Sequence, residues 1–181
     1  MRITGGEWAS RRIAGPPTRS PIRPTPDALR EQAFAILSPH LPGAQFLDLF
    51  AGTGVNSLEA LSRGAVSAVL VERAASAAAL LRRNLAALGV GAERWELIVG
   101  PAERAVRALG ERGWCCRLAW CDPPFAEWDA GPTALATALA CGVLAPGALV
   151  VLELPPRREA AVPGLAFVRA LRGAVLLQAR E

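Results

Sequence analysis

Apolar positions along this chain follow two alternating patterns. Near-continuous apolar runs of strand length occupy residues 46–50, 68–72, 95–99, 118–121 and 148–154. Between them lie stretches with apolar residues at helical spacing, beginning near Gly54, Ala74, Ala102 and Pro132. Strands apolar on both faces and joined by helices require parallel neighbours and right-handed crossovers. The pattern therefore predicts a three-layer α/β domain around a doubly wound, mostly parallel sheet. Two last runs, 166–171 and 175–179, have little more than Arg172-Gly173 between them and predict an antiparallel hairpin at the sheet edge, for seven strands in all. Upstream, residues 27–37 place Leu29, Ala33, Phe34 and Leu37 on one helical face, with Thr25 as N-cap and Pro26 at the first helical position. Six Gly and Pro residues between 15 and 26 exclude a long helix there, and residues 1–4 and 11–14 read as a small hairpin across Gly5-Gly6. The division this predicts is an N-terminal arm, 1–25, and a single domain, 26–181.

Composition narrows the class. With 181 residues, 52% of them apolar, the chain can bury one sizeable core, which excludes a disordered tail or a miniprotein. All 20 basic residues are Arg, and the net charge of +4 is local: residues 1–30 hold Arg2, Arg11, Arg12, Arg19, Arg23 and Arg30 against Glu7 and Asp27, while the rest balances at 14 Arg and 14 acids. Clustered Arg gains free energy by displacing counterions from phosphates, so these six are candidate contacts to a polyanion; a merely solvated arm is the alternative. The four Cys show no CxxC spacing, and the single His40 lies in a Pro-flanked loop, so neither a zinc site nor a Cys–His nucleophile is expected. No apolar export segment follows Met1. The longest uncharged stretch, 130–152, is broken by Pro132, Gly142, Pro146 and Gly147 and reads as a core helix followed by a core strand. A cytoplasmic protein without membrane or metal is expected.

In an open α/β sheet, ligands sit beyond the carboxyl ends of the strands. The first strand-to-helix turn here runs Asp48-Leu49-Phe50-Ala51-Gly52-Thr53-Gly54. Gly52 and Gly54 let backbone approach a ligand, and the following helix offers free N–H groups. A dinucleotide site needs GxGxxG facing a pyrophosphate, but the third position here is Ser57 and a carboxylate stands beside the loop. Fixed negative charge suits a cationic ligand such as S-adenosylmethionine better than NAD. Glu72, which closes the second strand, can take both hydroxyls of a ribose. At the end of the fourth strand stands Asp122-Pro123-Pro124-Phe125. Two prolines stiffen that turn and leave its carbonyls free as acceptors, so the acid and the carbonyls can hold an exocyclic amine while Phe125 stacks on the base.

Gly5-Gly6, Arg23-Pro24-Thr25, the run 48–65, Glu72 and the turn at Asp122 resemble, in order and spacing, the RsmD family of bacterial small-subunit (16S) ribosomal RNA guanine-N2 methyltransferases. The resemblance covers nearly the whole chain. It implies a class I, Rossmann-like methyltransferase, with S-adenosylmethionine as cofactor and methyl transfer to the N2 of one guanine. The substrate would be small-subunit ribosomal RNA or an assembling 30S particle, and the chain is expected to act as a monomer. The cofactor-binding set is then Asp48, Phe50, Ala51, Gly52, Gly54, Glu72, Arg73 and Ala102, and the catalytic set Asp122, Pro123, Pro124 and Phe125. Two departures stand out. Residues 99–102 carry no acid or amide to meet the adenine amine, which leaves backbone near Ala102 to read it, and Asn56-Ser57 replace expected small apolar residues. The turn alone does not separate guanine from adenine, so an adenine-N6 methyltransferase is the alternative, followed by a non-catalytic RNA-binding assembly factor of the same fold.

Overall fold

The computed structural model describes residues 1–16 and 26–180. Arg19, Arg23, Pro24, Thr25 and the predicted arm–domain boundary lie outside the described residues.

Seven strands form one sheet: β1 (Gln45–Leu49), β2 (Ser67–Glu72), β3 (Trp95–Val99), β4 (Cys116–Cys121), β5 (Leu144–Glu153), β6 (Leu165–Leu171) and β7 (Ala174–Ala179). Their spatial order is β3-β2-β1-β4-β5-β7-β6. The first five run parallel, whereas β7 pairs antiparallel with both β5 and β6. Helices α1 (Asp27–Leu37), α2 (Val55–Ser62) and α3 (Ala75–Leu88) cover one face, where Phe34 stacks on Trp120 with ring centroids 5.5 Å apart. The other face is covered by α4 (Ala102–Glu111) and α5 (Ala130–Ala140). Each inner strand buries apolar side chains in both layers, which is why the runs read as continuous rather than alternating.

The elements depart from the sequence reading at four places. Helix α1 starts at Asp27, so Pro26, with φ −59° and ψ 140°, is its N-cap and not its first helical residue. Strand β1 stops at Leu49, because Phe50 adopts φ +66°, outside any strand conformation. Strand β5 starts four residues early, at Leu144, and carries Pro146-Gly147 through a register shift against β4, an irregularity at which a missing ladder N–H is tolerated. Helix α5 starts at Ala130, so Pro132 falls in a first turn whose N–H groups have no intrahelical partner.

The first sixteen residues are not a separate arm. Arg2 and Arg12 form an antiparallel bridge, and Ile3 N–H donates to the Arg11 carbonyl at 3.0 Å, but the connection is a wide loop rather than a tight turn at Gly5-Gly6. Ile3, Trp8 and Ile13 are buried in the core that α1, α2 and α3 share. The loop is fastened to α2: Thr4 N–H and Oγ1 donate to the two oxygens of buried Glu59 at 2.8 and 2.7 Å, and Trp8 N–H donates to Ser62 Oγ at 2.8 Å. Gly6 is required here. Its φ is +77°, and a Cβ would collide with the Ser62 carbonyl.

Candidate active site at the carboxyl ends of the central strands

The strand order reverses between β1 and β4, and the crevice beyond their carboxyl ends is where an open α/β sheet takes ligands. Leu49 is in register with Cys121, and Asp122 N–H donates to the Leu49 carbonyl at 3.2 Å. The glycine-containing loop and the Asp122–Phe125 turn therefore start side by side. The loop leaves β1 through strained backbone: Phe50 is one of three described non-glycine residues with positive φ, and Gly52 and Gly54 follow at +53° and +78°. A non-glycine residue held there costs about 1–3 kcal/mol and persists only where its surroundings over-determine it.

Glu72 anchors the loop from the neighbouring strand. Gly52 N–H donates to its Oε2 at 2.9 Å and Ala74 N–H to its Oε1 at 2.7 Å. Each oxygen keeps a second lone-pair site, so the carboxylate can still accept two ribose hydroxyls. Arg73, grouped above with the cofactor residues, is committed elsewhere. Both of its terminal nitrogens bind Glu127, each at 2.8 Å, which clamps the end of β2 to the segment that follows Phe125. That bidentate pair holds the Glu127 carboxyl below the usual carboxylate range.

Asp48 is fully buried, and Ser57 donates to its Oδ2 twice, from N–H at 3.1 Å and from Oγ at 2.7 Å. Serine at 57, the departure noted in the sequence, is thus the partner of the buried acid. Oδ1 is buried without a hydrogen-bond partner among the described residues. Burial outweighs the Ser57 bonds and pushes the Asp48 carboxyl up to about 7. An orphaned acceptor of this kind beside a glycine loop fits a cationic donor such as an ammonium, so the residues present fit S-adenosylmethionine. Ala102 opens α4 next to the same crevice, since Gly100 N–H binds the Glu72 carbonyl at 3.1 Å.

On the target side, Pro123 is buried and Phe125 is 42% exposed, a large apolar ring at the rim. Glu153, at the end of β5, was not singled out in the sequence. It is buried, accepts from Trp120 Nε1 at 3.0 Å, and its carbonyl accepts from Trp128 Nε1 at 3.1 Å, so it braces the strand below the turn. An acid closing a core strand was the available signal, as for Glu72. Asn84 was also missed. From the buried side of α3 its Nδ2 donates to the Thr53 carbonyl at 2.9 Å and the Ala14 carbonyl at 3.0 Å, and its Oδ1 accepts from Ala14 N–H at 2.9 Å, stitching the glycine loop to the N-terminal segment.

The basic residues divide. Arg30 is fully buried and donates to the Arg2 carbonyl and to Asp27, both at 2.8 Å, so it is corrected from a phosphate contact to a core clamp. Arg2 pairs with Asp27 at 3.3 Å. Arg11 and Arg12 are exposed and have no acidic partner among the described residues. No group of metal-ligating side chains occurs among the described residues, and no described helix is long and apolar enough to cross a membrane.

Comparison with known proteins bears on the family and the fold. The family model described as Conserved hypothetical protein 95 matches residues 1–171. Ribosomal RNA small subunit methyltransferase D of Escherichia coli (strain K12) is 39% identical over 125 residues, which are 69% of this chain and 60% of that protein, so the match spans less than two thirds of that relative. The putative rRNA methyltransferase YlbH of Bacillus subtilis (strain 168) is 35% identical over 130 residues, 70% of this chain and 68% of that one. Among solved structures, the putative methyltransferase yhhF from Escherichia coli superposes with a TM-score of 0.83 at 29% identity, over 100% of this chain and 98% of that one. The architecture is the Rossmann-like fold of class I S-adenosylmethionine-dependent methyltransferases.

Proposed function

We propose, from the premise that the chain belongs to the Conserved hypothetical protein 95 (RsmD) family, that it methylates small-subunit ribosomal RNA at the exocyclic N2 of a guanine. The observation that carries this reading is the 3.2 Å bond from Asp122 N–H to the Leu49 carbonyl, which seats an amine-holding turn against a loop suited to a cationic, ribose-bearing cofactor.

In this reading S-adenosylmethionine supplies an activated methyl group on a sulfonium. Glu72 holds the ribose hydroxyls, and the Asp48 carboxylate faces the ammonium. Backbone at Ala102 reads the adenine. Asp122 accepts one N–H of the guanine amine, and the carbonyls of the proline turn are acceptors for the other. Phe125 stacks on the base once it has left its helix. The guanine amine is conjugated with its ring and weakly nucleophilic, so the residues act by positioning and by polarising N–H bonds, and no covalent enzyme intermediate is needed. Arg11 and Arg12, with Arg19 and Arg23, contact phosphates.

The test is methylation of small subunits and of free 16S RNA that lack the modification, followed by digestion to nucleosides and mass analysis. N2-methylguanosine is the expected product. N6-methyladenosine would make the chain an adenine enzyme, and no methylated nucleoside would leave the assembly-factor reading.

A further inference from the structure

Two arginine pairs far apart in sequence, Arg11-Arg12 and Arg82-Arg83, are brought near one another by a single backbone contact. Arg11 Nη2 donates to the Ala87 carbonyl at 3.1 Å, which lays the N-terminal loop along α3. Arg83 lies one turn before Ala87 on that helix, with Arg82 beside it, and Arg11, Arg12, Arg82 and Arg83 are all exposed. None has an acidic partner among the described residues. No Asp or Glu occurs between Arg73 and Glu93, so α3 carries no acid of its own. Among other exposed arginines, Arg107, Arg112 and Arg158 are each held by a carboxylate, at 2.7, 3.0 and 3.6 Å, whereas Arg104, Arg117, Arg157, Arg169, Arg172 and Arg180 have no acidic partner among the described residues; what distinguishes the four here is their convergence beside an acid-free helix.

We infer that Arg82 and Arg83 of α3, together with Arg11 and Arg12, form a docking face for the phosphodiester backbone of the RNA substrate. The inference rests on the RNA reading above and gives its substrate a place on the protein. Unneutralised guanidinium groups on a rigid helix and a fastened loop bind successive phosphates without reading sequence. Asn84, next to Arg83, bonds both Ala14 and the Thr53 carbonyl of the glycine loop. The face and the loop are therefore one mechanical unit, so RNA held by its backbone is held at a set distance from the crevice.

The experiment measures binding of the full chain to an unmodified 16S RNA fragment by fluorescence anisotropy between 50 and 300 mM salt, with binding to whole subunits in parallel. The Arg82→Gln/Arg83→Gln double variant is expected to lower the slope of log affinity against log salt by about 1.4–1.8, at 0.7–0.9 per lost phosphate contact, and to raise Kd about 10–30-fold at 0.15 M salt. Its affinity for S-adenosylhomocysteine should match the wild type, because neither side chain touches the crevice. An unchanged RNA slope overturns the inference, and if binding to whole subunits is nonetheless lost, the face contacts protein. It is overturned too if Arg169→Gln/Arg172→Gln, on the far hairpin, produces an equal fall. Wild-type methylation of the same RNA is scored separately. Its failure counts against the proposed activity, while the slopes still decide the face.

Discussion

Asp48→Asn should alter the pH dependence of stability in a direction opposite to that of an ordinary carboxylate. Asp48 moves from 3.8 in the unfolded chain to about 7 in the folded one, with burial as the main cause. Below about pH 4 the group is protonated in both states and contributes no pH dependence. As pH rises the unfolded chain ionises first, so stability is lost progressively up to about pH 7 and then levels off. The difference from 3.8 to about 7, at 1.36 kcal/mol per pH unit, amounts to about 4 kcal/mol. Asparagine is isosteric and can still accept from Ser57, but its amide places a donor where Oδ1 has no partner, a pH-independent cost of about 1–3 kcal/mol. Urea denaturation of both proteins from pH 4 to 8.5 gives the difference profile, in which contributions from other groups cancel. The variant should gain on the wild type by several kcal/mol across this range. Parallel profiles would refute the claim that Asp48 is buried against its own ionisation.

The same acid predicts proton-linked cofactor binding: a ligand cation beside Asp48 favours its ionised form, so S-adenosylhomocysteine affinity should fall below pH 7, by up to tenfold per pH unit, and calorimetry in buffers of different ionisation enthalpy should record proton release. Asp122→Ala should reduce methyl transfer about 10²–10³-fold, the usual loss for one hydrogen bond to a reacting group, with cofactor affinity within a few-fold by the same calorimetry. Glu72→Ala should weaken the cofactor by about 1.5–3 kcal/mol, and because Gly52 and Ala74 lose their acceptor it should also lower the melting temperature. Gly6→Ala should cost about 2 kcal/mol or more of folding stability, read by denaturant midpoint, since it meets both positive φ and the Ser62 carbonyl.

The layered sheet was legible because its inner strands are apolar on both faces and its helices keep a clean period, and Asp48, Glu72 and Asp122 were legible because each acid stands at the end or near the end of such a run. What escaped was tertiary. Arg30 reads as one more basic residue of the N-terminal stretch, and only the packing of α1 turns it inward onto the Arg2 carbonyl. Arg73 follows the ribose acid in sequence, yet its partner Glu127 is 54 residues away. Ser57 looked like a departure from pattern until its two bonds to Asp48 explained it. Gly5-Gly6 signalled a turn, but the geometry that demands glycine is the approach of α2, which no local pattern encodes.

The fastening of the N-terminal loop sets the order in which the chain completes itself during synthesis. Thr4 cannot find its acceptor until Glu59 exists, nor Ala14 until Asn84 does. At about 5–20 residues per second, residues 1–16 wait several seconds before their partners emerge. Through that interval Ile3, Trp8 and Ile13, all buried in the finished protein, remain exposed to the cell. A ribosome-stalled chain ending soon after α2 should therefore engage holdase chaperones through residues 1–16, and one long enough to have released β7 should not, because the cluster that buries these side chains also draws Trp120, Val151 and Leu176 from later strands.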